Sequence, residues 1–110
     1  MARVVWTETA LTAVRQITEY IARDSRSAAV RFAREIIDRP EQLEAFPRIG
    51  RMIPEFQRDD LRELIHGNYR LLYRIRDDHC YIWTVIHSKR DLQRHIDPEG
   101  WSLESPTRDS

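Results

Sequence analysis

Apolar positions fall into two regimes along the chain. Through about residue 46 they recur at helical spacing; from residue 61 to 87 they alternate or run together as in strands. Val4-Val5-Trp6 reads as a short first strand. Thr7 suits the N-cap of a helix, with Glu8 favourable in its first turn, and Ala10, Val14, Ile17 and Ile21 form its apolar stripe. Ser25 suits the cap of a second helix whose face is Ala29, Phe32, Ala33 and Ile36. Pro40 falls inside this run, but Ile36, Leu43 and Phe46 keep phase. The pattern therefore predicts one kinked helix, ended by "FPRIGR". Residues 51–60, "RMIPEFQRDD", read as a connector. Three strands follow, Leu61–His66, Asn68–Arg76 and Cys80–His87, with turns at Gly67 and at Asp77-Asp78. Residues 98–110 have little to bury and read as a mobile tail after a domain spanning 1–97. The predicted fold is α+β: an N-terminal strand, a two-helix hairpin and an antiparallel three-stranded meander, with helices on one sheet face and the other face open.

The strand "NYRLLYRI" complicates this picture, because Arg70 and Arg74 interrupt it. Strand residues alternate between faces. Tyr69, Leu71, Tyr73 and Ile75 belong against the helices, opposite Ile86, Thr84, Ile82 and Cys80. Arg70, Leu72 and Arg74 then share the open face with Val85, Trp83 and Tyr81, and Asn68 pairs with His87. A two-residue turn at Gly67-Asn68 adds Leu61, Glu63 and Ile65 to that face, with Glu63 between the two arginines. Taken singly, Arg70, Arg74 and Glu63 read as a solvated cross-strand ion network. Taken together with Tyr81, Trp83 and Leu72, they read as a surface for a partner. On either reading Arg70→Ala should be tolerated by the fold and Tyr73→Ala should not.

Composition narrows the classes. The 110 residues carry 18 Lys+Arg against 18 Asp+Glu, which disfavours a protein held to nucleic acid mainly through phosphates. The positive charge is local. Residues 61–96 hold seven basic and four acidic residues; residues 97–110 hold one and four. Cys80 is the one cysteine, so no internal disulfide forms, and a reducing cytoplasm fits. "MARVVWTETA" lacks the apolar run of a signal peptide, and no stretch reaches transmembrane length. The four histidines lack paired metal-ligand spacing, and neither a Gly-rich phosphate loop nor a nucleophile elbow is present. No metal and no cofactor is expected.

Five segments in order, "VVWTETAL", "YIARDSRSAA", "FPRIGRMIPEF", "LRELIHGNYRLLYRI" and "VIHSKRDL", resemble the RelE/ParE superfamily of toxins from type II (plasmid stabilisation type) toxin–antitoxin systems. The resemblance runs from about Val4 to Leu92 and is closer to the ParE branch. It implies the RelE/ParE-like fold, a cognate antitoxin as partner and DNA gyrase as the target of a bacterial inhibitor that is not a hydrolase. It implies no sequence-specific DNA binding by the toxin alone, and leaves a homodimer and a toxin–antitoxin hetero-oligomer both open. The expected target or partner surface is Arg70, Leu72, Arg74, Tyr81, Trp83, His87, Lys89 and Arg90. The alternatives are a RelE-type ribosome-dependent mRNA endoribonuclease and a degenerate, non-toxic member. In the nuclease branch, Arg70 and Arg90 match the two site arginines, Leu61 and Glu63 stand where lysines are found, and Ile96 stands where a tyrosine is found. A nuclease built on this chain would have to use Arg70, Arg90, His87 and Glu63.

Overall fold

The structure, a computed structural model, describes residues 1–90 together with Leu92. The proposed tail at 98–110, the domain boundary at 97, and His95 and Ile96 lie outside the described residues. The elements are β1 (Arg3–Trp6), α1 (Glu8–Ala22), α2 (Arg26–Asp38), a 3-10 segment (Arg39–Glu44), β2 (Arg51–Met52), β3 (Leu61–His66), β4 (Tyr69–Arg76) and β5 (His79–His87). They build one five-stranded sheet in the order β1-β5-β4-β3-β2. β1 lies parallel to β5, with Val4 beside Cys80 and Trp6 beside Ile82, and the other pairings are antiparallel. The α+β class and the helical hairpin are as expected.

The helix starts follow from side-chain capping. The Thr7 hydroxyl accepts the Ala10 N–H, and the Ser25 hydroxyl accepts the Ala28 N–H, each at 3.1 Å. Both satisfy a donor that the first helical turn leaves unpaired. Thr7 does more than cap. Its hydroxyl also donates to the Ile82 carbonyl at 2.7 Å, which fixes the start of α1 to β5. The helices pack Ala10, Val14, Phe32 and Ile36 onto Leu64, Leu71, Tyr73, Cys80, Ile82 and Val85 to form the larger core.

Four expectations need correction. The kinked helix ends at Asp38. The Pro40 ring cannot continue the i→i−4 ladder, so the chain tightens into a 3-10 segment that buries Pro40 and Leu43. The changed period turns Phe46 outward, where it is 63% exposed. The connector contains a fifth strand, since Arg51 and Met52 pair with Glu63 and Arg62 of β3.

The third correction concerns register. β4 and β5 pair as expected at Ile75–Cys80, Arg74–Tyr81 and Tyr73–Ile82, then slip by one residue, so that Leu72 faces Thr84 and Tyr69 faces His87. Trp83 has no opposite number on β4: it is the extra residue of a β-bulge. Beyond it the parity of β5 reverses. Val85 joins the helix-side core and Ile86 the opposite face.

The fourth correction is that the second sheet face is not open. Residues 51–57 fold back over it. Ile53 enters a smaller core with Leu61, Leu72, Ile86 and Leu92, flanked by Phe56 and Trp83. Leu72 is fully buried. Burying an Ile or Leu side chain contributes about 1.5–3 kcal/mol, which is the gain that brings the connector down onto the sheet.

Candidate functional site

The two arginines of β4 meet different partners. Arg70 is buried. Its Nε–H donates to Glu63 Oε1 at 2.6 Å, and its two terminal nitrogens donate to the Glu55 carboxylate at 2.9 and 2.8 Å. The other oxygen of Glu63 accepts from Arg51 Nε. Glu63 is buried between two guanidinium groups. The result is a chain of alternating charge, Arg51–Glu63–Arg70–Glu55, that ties β2, β3 and β4 to the connector. The Arg70 hydrogen bonds hold the Glu55 carboxyl below its usual range, and the carboxylates, Glu55 first, raise the Arg70 guanidinium above its own. Arg74 lies 3.3 Å from Asp60, which also takes two hydrogen bonds from Arg58.

The cross-strand network of Arg70 and Glu63 is present, but it is sealed and not solvated, and Arg74 belongs to a separate pair. Arg51 and Glu55 went unrecognised in the sequence, because a ten-residue connector has no period from which to read which face its charges meet. The surface drawn across Arg70, Leu72, Arg74, Tyr81, Trp83 and His87 is therefore not continuous. Leu72 and Arg70 lie beneath the connector. Arg74, Tyr81 and Trp83 are partly exposed, and Tyr81 stacks on His79 with centroids 5.5 Å apart. His87 is carried to the helix side by the bulge, where its ring meets Tyr69 edge-on at 5.3 Å. Lys89 and Arg90 are exposed just past β5.

Burial pushes the Cys80 thiol up to about 11, which disfavours the thiolate needed of a nucleophile or metal ligand. Among the described residues no three His, Cys, Asp or Glu side chains are grouped to hold a metal ion, and no helix is long and apolar enough to cross a membrane. The four groups a nuclease would need are also divided. Glu63 and Arg70 are bonded to each other under the connector, while His87 and Arg90 line a cleft beside α1.

Comparison with known proteins agrees with this fold. No curated protein matches the sequence. Among solved structures, one described as the chromosomal ParDE TA system from P. aeruginosa superposes with a TM-score of 0.68 at 16% identity, covering 81% of this chain and 98% of that one. The sequence profile of the family described as the ParE toxin of the type II toxin–antitoxin system parDE matches residues 4–92. The chain belongs to the ParE toxin family of type II toxin–antitoxin systems.

Proposed function

We propose that this toxin acts by binding and inhibiting DNA gyrase in the cytoplasm, without hydrolysing a substrate, and that its cognate antitoxin holds it inactive. The observation that carries the reading is the state of Arg70. A phosphoryl-transfer site needs its guanidinium free to meet charge that develops in the transition state. All three donor nitrogens of Arg70 that could do so are committed to Glu55 and Glu63, and the residue is 5% exposed. Glu63 is equally unsuited as a general base, since both of its oxygens accept from arginines. The surface left for a macromolecular target is Arg74, Tyr81, Trp83, Lys89 and Arg90, with His87 at its margin. Arg70 and Leu72 support it from below. The apolar side chains that the helical hairpin leaves exposed, Leu11, Tyr20, Val30 and Ile37, suit the antitoxin.

The test adds purified toxin separately to gyrase supercoiling reactions and to translating ribosomes. Loss of supercoiling with intact messenger RNA is expected, and stoichiometric antitoxin should restore activity. Cells expressing the toxin alone should filament and induce the DNA-damage response. Codon-specific mRNA cuts with normal supercoiling would overturn the reading in favour of a nuclease. Inactivity in both assays would overturn it in favour of a non-toxic member.

A further inference from the structure

β1 ends at Trp6, opposite Ile82, whereas β5 continues to His87. Along that continuation the neighbour of β5 is α1, and between them lies a cleft of about 440 Å3. Ala13, Ile17 and Val85 give it an apolar part, with Thr84 beside them. Its rim is polar and aromatic, formed by Gln16, Tyr20, Tyr69, His87 and Arg90. Among the described residues no carboxylate lines it and Arg90 has no acidic partner. Outside the lining, the Arg23 guanidinium lies 5.8 Å from the centre of the Tyr20 ring.

The rim is held in place. Tyr69 is wedged between Phe32, at a centroid distance of 5.1 Å, and His87. His87 Nδ1 accepts the Lys89 N–H at 3.1 Å. That bond selects the tautomer with its proton on Nε2, so the other ring nitrogen is a donor. The Arg90 N–H donates to the His87 carbonyl at 3.0 Å, which keeps the two residues together. The cleft thus combines one cation, Arg90, and a neutral imidazole N–H donor, His87, with apolar and aromatic side chains, at a volume in the range of small-molecule sites.

We propose that this cleft binds a small oxyanion carried on a flat apolar body, the chemistry shared by mononucleotides and aromatic carboxylates. Arg90 and the His87 Nε2–H take the oxyanion, and Tyr69 and Ile17 meet the flat body. The site does not depend on gyrase as the target, and it is separate from the Arg70 network.

Amide NMR titration of the full chain with AMP, benzoate, adenosine and inorganic phosphate tests it. Saturable shifts at Tyr69, His87 and Arg90 are expected with AMP or with benzoate. Adenosine and phosphate alone should bind at least tenfold more weakly than the tighter of AMP and benzoate. Arg90→Ala and His87→Ala should each weaken binding about tenfold, whereas Arg76→Ala, an exposed arginine at the far end of β4, should not. Arg90 is itself exposed, so its variant keeps the fold, and an unchanged spectrum outside the cleft verifies this. Tighter binding of AMP assigns the phosphate source, and tighter binding of benzoate the carboxylate source. Shifts that do not saturate, binding indifferent to Arg90→Ala, or phosphate binding as tightly as the tighter of AMP and benzoate would each overturn the proposal.

Discussion

Arg70 Nε lies 2.6 Å from Glu63 Oε1, and both side chains are buried under the connector. Neither charge is an addition to a finished sheet: each is the condition for burying the other. A buried ion pair stabilises little relative to an apolar pair of the same shape, but removing one member leaves the other charged and unpaired. Arg70→Ala strands Glu63 with Arg51 alone and removes both bonds to Glu55. It should cost about 3–5 kcal/mol, against well under 1 for the exposed arginine that strand alternation suggests. Arg70→Ala, Arg74→Ala and wild type compared by denaturant midpoint check this. Arg74 sits in a more open pair with Asp60, and its loss should be the smaller.

That contrast marks how far the sequence is legible. Alternation placed Arg70, Arg74, Leu61, Glu63 and Ile65 on one face correctly, and the β3–β4 register at His66–Tyr69 confirms the turn. Caps at Thr7 and Ser25 were legible because the capping hydroxyl and the helix it starts are neighbours in sequence. What covers the far face was not. Ile53 and Glu55 reach Leu72 and Arg70 across fifteen or more residues, and nothing in "RMIPEFQRDD" says which way it folds. The bulge at Trp83 was hidden for another reason. "YIWTVIH" is apolar nearly throughout, so a one-residue slip leaves no polar residue visibly misplaced. That slip is what moves His87 from the expected surface to the cleft beside α1.

Thr7 joins three elements through one hydroxyl, which accepts from Ala10 N and donates to the Ile82 carbonyl. Thr7→Val keeps the shape and leaves a buried donor unmatched. The expected loss is about 1–3 kcal/mol. Thr7→Ser, which retains both bonds, should lose less than half as much. Chemical denaturation of the three proteins decides between this account and one in which Thr7 matters only for packing.

Tyr73 and Cys80 make the fold sensitive to alkali. Burial raises the Tyr73 phenol to about 12 and the Cys80 thiol to about 11. In the unfolded chain they titrate near 10 and 8.5. Raised values mean that the neutral forms are favoured by folding. Their contribution is complete below the unfolded values and is lost as pH climbs toward the folded ones. Stability should therefore fall from about pH 8.5 upward. The Tyr73 part, about 3 kcal/mol, should be lost between about pH 10 and 12. Cys80→Ala should delay the onset, and Tyr73→Phe should flatten the upper part of the curve at the cost of two hydrogen bonds at neutral pH. Midpoints measured from pH 7 to 11 give the slope. A flat profile would mean that neither group is sealed by the sheet.

Two glycines separate crowding from backbone strain. Tyr73 Oη donates to the Pro47 carbonyl at 2.7 Å and accepts the Gly50 N–H at 3.0 Å, which draws the Gly50 backbone onto the ring. A Cβ at Gly50 would stand 2.6 Å from both Tyr73 Oη and the Glu63 carbonyl, and 2.8 Å from the Tyr73 ring. Neither neighbour can yield. Tyr73 is fully buried, and the Glu63 carbonyl belongs to β3. Gly67 is the opposite case: its φ is +58°, and nothing lies within 4 Å of a Cβ there. Gly67→Ala should cost only the left-handed backbone penalty, about 1–2 kcal/mol. Gly67→Asn should recover part of that, because Asn tolerates this region. Gly50→Ala should cost at least as much as overpacking a core, about 1–3 kcal/mol or more, and Gly50→Asn should be worse, since a larger side chain meets the same wall. The discriminating measurement is the sign of the Ala-to-Asn change at each position. Recovery at Gly67 with further loss at Gly50 fits the two causes, whereas the same sign at both would show that one cause governs both.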